Sequence, residues 1–161
     1  MTTATSDRDF SASDTWATFF LGSEMFALPV EDVQEVLMDQ PLTPVPLAPE
    51  HIRGLLNLRG QIMPAIDLRR RLEFPARKDG RSGSILVVKT STQLISVLVD
   101  QIGDVMHLAR EHWRPVPDTL PAQHRACVLG ICPIQEHLVL GLRVDVLESG
   151  EDEHVLTGAA P

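Results

Sequence analysis

Cysteine is scarce in this sequence, and long hydrophobic runs are missing. The chain of 161 residues has two cysteines, Cys127 and Cys132, too few for a disulfide framework, and we expect both to be small buried hydrophobic residues. It contains no run of 18 or more apolar residues, so no transmembrane helix is encoded. The first fourteen residues include no apolar run long enough for the core of a signal peptide. We therefore expect a soluble, cytoplasmic chain without direct membrane insertion.

An excess of positive charge is also absent. Lys and Arg number 14 against 22 Asp and Glu, which gives a formal net charge of −8. A field of this sign repels phosphate backbones. Nucleic acid is therefore not expected as a partner.

The motifs of common enzyme and metal sites are missing as well. The sequence has no G-x-S-x-G nucleophile motif, no glycine-rich phosphate loop and no H-E-x-x-H. Its six histidines and two cysteines do not occur at zinc-ligand spacing. Glu31, Asp32 and Glu35 could serve as paired carboxylates, although acids facing water at a strand end are far commoner. We expect no catalytic residue, metal, cofactor or small-molecule substrate, and keep a small carboxylate-using enzyme as an alternative.

What the sequence does contain is short β-strand patterns rich in Val, Ile, Leu and Phe. Residues 16–30 are two apolar runs around Gly22-Ser23, a pair suited to a type II′ hairpin turn. Residues 84–100 form a second such pair around residues 90–92. These patterns predict an all-β fold.

The sequence also predicts two short helices and a flexible tail at each end of the chain. Short helices are predicted at "APEHIRGLL" (48–56), where Pro49 suits a helix start, and at "LAREHW" (108–113). Residues 1–14 and the acidic residues 149–161 carry few side chains able to pack, so we predict flexible tails.

The sequence also carries a faint internal repeat. "FALPVEDVQEVL" (26–37) matches "ISVLVDQIGDVM" (95–106) at an offset of 69 residues, "PVP" recurs at 44–46 and 115–117, and Gly54 aligns with Gly130. Small sheets protect their edges best by closing into barrels. The repeat therefore predicts two β barrels, joined by an exposed connector over 74–84.

One apolar stretch is interrupted by polar residues. In "GLLNLRGQIMPAIDLRRRL" (54–72), Asn57, Arg59 and Gly60 suit a bend, and Pro64 and Asp67 follow. Arg59 could form a local clamp with Asp67, or it could be offered to another protein, since arginine is enriched at interface hot spots. Both interpretations stay open on the residues alone. The basic cluster that follows, over 69–81, could be a solvated loop or a patch that steers an acidic partner.

Four segments carry a resemblance to a known family. "NLRGQIMPAIDLR" (57–69) closely resembles a motif of CheW-like domains, and "LGSEMFALPVEDVQEV" (21–36), "TPVPLAPEHIRGLLNLRG" (43–60) and "LVDQIGDVMHLAREHWRPVP" (98–117) resemble neighbouring parts of that family. The resemblance implies two SH3-like five-stranded barrels in a pseudo-symmetric arrangement, with short helical segments. It places a CheW-like domain over 15–148, with a first barrel near 15–73 and a second near 84–148. Exchange of strands between the two halves is left open.

The resemblance also implies a function and the residues that carry it. Members couple chemoreceptors, at their cytoplasmic tips, to the regulatory domain of a CheA-type histidine kinase in membrane-associated arrays. The implied alternative is a stand-alone regulatory subunit that controls surface motility or another output. The implied receptor-binding residues are Val33, Glu35, Gly54 and Arg59, and the candidate kinase-facing residues are Asp100, Ile102 and Val105. The bend or clamp is assigned, from the residues themselves, to Asn57, Gly60, Pro64 and Asp67.

Overall fold

A computed structural model describes residues 14–77 and 83–148, and strands dominate it. The two helices are short, α1 (Leu68–Arg71) and α2 (Ala122–Cys127), and 3-10 helices span Val30–Asp32, Arg110–His112 and Val144–Val146. The ten strands of the described residues are β1 Thr15–Leu21, β2 Glu24–Pro29, β3 Val33–Leu37, β4 Ile52–Leu58, β5 Gln61–Asp67, β6 Ser84–Lys89, β7 Leu94–Val99, β8 Gln101–His107, β9 Val128–Ile134 and β10 His137–Leu142.

Both predicted hairpins are confirmed, but one predicted helix is wrong. β1 and β2 pair antiparallel across Gly22-Ser23, and Gly22 has the positive φ (+60°) that a type II′ turn requires at its first central position. β6 and β7 pair across residues 90–93. The helix predicted at 48–56 is absent because residues from Ile52 onward form β4 and pair with β5. The segment 108–113 does contain a 3-10 helix.

The strands form two five-stranded sheets that exchange strands between the halves of the chain. Sheet 1 has the order β8-β1-β2-β10-β9, and sheet 2 has the order β3-β6-β7-β5-β4. Each sheet therefore takes two strands from one half and three from the other, so neither corresponds to the continuous ranges 15–73 or 84–148. The prediction of an all-β fold with two five-stranded SH3-like barrels is confirmed.

The sequence repeat is visible in the pairing of the strands. β10 runs parallel to β2 in sheet 1, as β5 runs parallel to β7 in sheet 2. Isolated bridges join Thr43 to Leu55 and Arg114 to Ile131, just before the two "PVP" segments. The offset of 76 residues that relates Gly54 to Gly130 also relates Arg59 to Gln135, and these two residues have φ values of +52° and +50°. The two halves of the chain thus repeat one backbone design.

The main hydrophobic core lies between the two sheets. Its fully buried side chains come from β1 and β2 on one side, such as Phe19 and Phe26, and from β6 and β7 on the other, such as Leu86 and Val97. Each such side chain contributes about 1.5–3 kcal/mol when it leaves water. Because one core serves both sheets, the halves are held as one packed unit.

The arginines that follow β5 contact other parts of the chain. Arg69 pairs with Asp100 and Arg70 pairs with Glu50. Arg71 is buried, and its guanidinium donates to the carbonyls of Val146 (2.9 Å) and Leu147 (3.0 Å) near the end of the second half. These arginines therefore bind parts of the chain to one another; Lys78 and Arg81 lie outside the described residues.

Candidate functional site

The turn between β4 and β5 presents Arg59 to solvent. Arg59 and Gly60 are its two central residues, and both have positive φ, +52° and +85°, as a type I′ turn requires. The Asn57 side chain accepts a hydrogen bond from the Gly60 amide at 3.1 Å. Because a non-glycine residue pays a strain cost in this conformation, the turn holds Arg59 at some expense in stability.

Arg59 forms a bidentate ion pair with Glu35. Nη1 lies 3.0 Å from Oε1 and Nη2 lies 2.6 Å from Oε2. β3, which carries Glu35, and β4, which precedes Arg59, are the two edge strands of sheet 2, so the pair joins the two edges. The hydrogen bonds that Arg59 donates, together with its positive charge, lower the pKa of Glu35. The same hydrogen bonds and the negative charge of Glu35 raise the pKa of Arg59. The Arg59 side chain is 71% exposed and that of Glu35 28%.

The local clamp considered between Arg59 and Asp67 is wrong. β5 separates the two residues, and its six steps span about 20 Å at strand geometry. Asp67 instead pairs with Arg53 at 2.8 Å and caps α1 by accepting from the Arg70 amide. Pro64 also lies away from the bend, inside β5, where its carbonyl accepts from the Ser96 hydroxyl at 2.9 Å.

Gly54 is buried where the backbone of Thr43 approaches β4 closely. A Cβ at this residue would lie 2.6 Å from the carbonyl oxygen of Thr43, where Thr43 bridges to Leu55 with two backbone hydrogen bonds of 2.8 and 2.9 Å. A contact that short forces the backbone to move. Gly54 therefore lets the segment before the first "PVP" dock against β4, and it has no side chain with which to touch a partner.

Apolar side chains accompany the ion pair at the surface. Val36 follows Glu35 in β3 and is 48% exposed, and Ile62 lies just beyond the Arg59 turn and is 61% exposed. Val33 is half-buried and packs against the main core. We call Glu35, Val36, Arg59 and Ile62 surface 1.

The second half of the chain carries the equivalent surface. The repeat relates Val36 to Val105 and Ile62 to Leu138, and these residues are also exposed, by 61% and 53%. At the positions of Glu35 and Arg59 it has Asp104 and Gln135, both exposed, so no arginine is present there. We call Asp104, Val105, Gln135 and Leu138 surface 2. Sequence reasoning missed Val36, Ile62 and Leu138, although the Gly54-to-Gly130 offset already aligned the last two.

Of the three residues expected to face the kinase, Val105 alone is exposed among the described residues. Asp100 is held by two hydrogen bonds from Arg69, at 2.5 and 2.9 Å, and by the Gly22 amide at 2.6 Å. Ile102 is half-buried and packs against the main core. Asp100 and Ile102 therefore contribute to internal packing.

Residues 14–77 and 83–148 contain neither a cluster of metal ligands nor a membrane-spanning helix. No three His, Cys, Asp or Glu side chains come together there in a way that could hold a metal ion. In the same residues, no helix is long and apolar enough to cross a membrane.

Comparisons with known proteins agree with the fold. The family model described as "CheW-like domain" matches residues 15–151. A chemotaxis protein CheW from Helicobacter pylori is 30% identical over 127 residues, covering 79% of this chain and 76% of its own. Protein FrzA from Myxococcus xanthus is 31% identical over 137 residues, covering 85% and 76%. The crystal structure of the scaffolding protein TtCheW from Thermoanaerobacter tengcongensis matches with a TM-score of 0.75 and 29% identity, covering 83% and 90%.

A strand-rich fold of two five-stranded sheets is shared with a solved scaffolding protein. The chain belongs to the CheW-like domain family. Members of this family are non-catalytic adaptors in chemotaxis-type signalling, so the alternative of a carboxylate-using enzyme is set aside. Glu35, one of the acids considered for catalysis, forms an ion pair with Arg59.

Proposed function

We propose that this protein couples the cytoplasmic tips of chemoreceptors to the regulatory domain of a CheA-type histidine kinase. The observation that carries the proposal is the presence of two equivalent sets of exposed residues on one shared core, alike in their apolar residues and different in charge. The protein would act in the cytoplasm, and it would reach membrane arrays through its partners. It would need no cofactor for this role.

Surface 1 is the proposed receptor site. The ion pair with Glu35 occupies one edge of the Arg59 guanidinium, and the remaining N–H donors stay available on a side chain that is largely exposed. Val36, which follows Glu35 in β3, and Ile62, three residues after Arg59, supply exposed apolar area. An arginine combined with apolar contacts is the usual composition of an interface hot spot. In this proposal Gly54 and Val33 act by holding β4 and β3 in place beneath the surface.

Surface 2 is the proposed kinase site. Val105 and Leu138 present a similar apolar pair without an arginine. The family resemblance gives the kinase a regulatory domain with the same fold, whose surfaces have the same strand geometry. Different charges on surfaces 1 and 2 would keep each partner from the other's site, since like charges placed together disfavour wrong pairs.

Glutamate substitutions at matched positions separate the two surfaces. We expect Val105→Glu to weaken binding of the kinase regulatory domain by about tenfold or more, because it places a charge in an apolar contact. The equivalent Val36→Glu should weaken receptor binding instead. Isothermal titration calorimetry with a receptor cytoplasmic fragment and with the kinase domain measures both. Equal loss of both partners in both variants would contradict the assignment.

A second candidate is a stand-alone regulatory subunit of a chemotaxis-like pathway that controls surface motility or another output. Its support is the 31% identity to a relative with a name other than CheW, protein FrzA. Both candidates use the same two surfaces. Purifying the protein from its own cells with its bound kinase and receptors, and identifying them by mass spectrometry, decides between the two outputs.

A further inference from the structure

Elements of the two sheets come together at two places that the repeat relates, which we call the first and the second seam. At the first seam they are joined by an ion pair. Here Asp100, between β7 and β8, accepts from the Gly22 amide in the β1–β2 turn and from Arg69 in α1. The side chains of Arg69 and Asp100 are 17% and 14% exposed. An ion pair with this bidentate geometry ties three elements of the fold together.

The second seam lacks an equivalent ion pair between described residues. The repeat relates Gly22 to Ser91, Asp100 to Glu31 and Arg69 to Asp145. The Ser91 amide donates to Asp145 at 2.9 Å, but the position of the arginine is taken by an acid. Glu31 and Asp145 are thus like charges where the first seam has a pair of opposite charges.

A cavity of about 590 Å³ lies at this second seam. Its charged lining comes from three elements: Glu31 and Asp32 in the first 3-10 helix, Lys89 at the end of β6, and Arg143 and Asp145 after β10. Asp32 forms no ion pair with any described residue. Burial raises the pKa of Asp32, the charges of Glu31 and Asp145 raise it further, and Lys89 acts in the opposite direction.

We propose that the second seam is a pH-sensitive hinge between the sheets, at which proton uptake by Asp32 draws the first 3-10 helix, the β6–β7 turn and the segment after β10 together. Removing the charge of Asp32 reduces the repulsion among three acids that line one cavity. The ion pair of the first seam does not include Asp32, so the change is confined to one side of the molecule.

The two seams respond to pH with opposite signs. The pKa of Asp32 is raised above 3.8 in the folded state, so the protonated form stabilises the fold, and that stabilisation is lost as pH rises through the raised value. Burial acts to raise the pKa of Asp100, but the hydrogen bonds from Arg69 and Gly22, together with the charges of Arg69 and Arg77, hold it below 3.8. The stabilisation from Asp100 is therefore present above 3.8 and lost as pH falls through the lowered value.

Asp32→Asn tests the hinge, with Asp118→Asn as the control because Asp118 is an exposed acid that does not line the cavity. At about pH 7, we expect Asp32→Asn to raise the melting temperature above that of the unmodified protein and of the control. The gain should shrink as the pH is lowered toward the raised pKa of Asp32, because Asp32 itself then takes up a proton.

Hydrogen–deuterium exchange supplies the local readout. At about pH 7, residues 89–93 and 143–147 of Asp32→Asn should exchange about threefold more slowly than in the unmodified protein, while residues 69–74 at the first seam stay unchanged. A melting temperature no higher than that of the control would overturn the proposal. So would a gain in melting temperature without slower exchange at the second seam, because the effect would then be global rather than a hinge.

Discussion

Arg59→Ala is expected to lose receptor binding by about thirtyfold or more while leaving the fold and kinase binding nearly unchanged. The arginine is 71% exposed and its ion partner Glu35 is itself partly exposed, so its loss removes little from the packed core. Circular dichroism and thermal unfolding check the fold. Titration of a receptor cytoplasmic fragment and of the kinase regulatory domain checks the two affinities.

The chain offers a matched control for this variant. Gln135 occupies the equivalent turn of the second half, with φ +50° against +52° for Arg59, so Gln135→Ala makes the same backbone change without removing an arginine. We expect Gln135→Ala to retain receptor binding. Glu35→Gln, which keeps the size of the side chain but weakens the pairing, should reduce receptor affinity by less than Arg59→Ala does. If Arg59→Ala keeps full receptor affinity, surface 1 is not the receptor site.

Gly54→Ala is expected to destabilise the protein by about 1–3 kcal/mol. The added methyl group would lie 2.6 Å from the Thr43 carbonyl oxygen, which is a backbone atom and can move only by shifting the Thr43–Leu55 bridge. Urea unfolding measures the loss. Receptor affinity should fall with it, because β4 leads directly into the Arg59 turn.

Gly60→Ala is the control for this prediction. A Cβ at Gly60 has no atom within 4 Å, although φ is +85°, so strain alone remains, at about 1 kcal/mol. Gly54→Ala should therefore cost more than Gly60→Ala. A Gly54→Ala protein of unchanged stability that has lost receptor binding would mean that Gly54 contacts the receptor directly, against its buried position.

Local features of the fold followed from the sequence. The hairpins were predictable because Gly22-Ser23 and the polar residues around 90–92 interrupt apolar runs, and turn chemistry is decided by adjacent residues. The repeat was predictable because each half keeps the same order of apolar and acidic residues. The bend at Arg59-Gly60 followed from its polar residues.

Features that depend on distant contacts did not follow from the sequence. Glu35 was identified and Arg59 was identified, but their pairing requires the two edges of sheet 2 to meet, and nothing local to either residue encodes that. The exchange of strands also depends on which edge each strand meets in space. The sequence predicts a helix over 48–56 because Pro49 suits a helix start, whereas pairing with β5 makes Ile52–Leu58 a strand.

In the proposed role, one molecule of this protein holds a receptor and a kinase at the same time on different surfaces. Sedimentation velocity on a mixture of this protein, a receptor cytoplasmic fragment and the kinase regulatory domain measures this directly. We expect a ternary complex that contains all three, and its receptor component should be lost with Arg59→Ala while the kinase component stays bound. Displacement of the kinase domain by the receptor fragment, with no ternary species at any ratio, would contradict it.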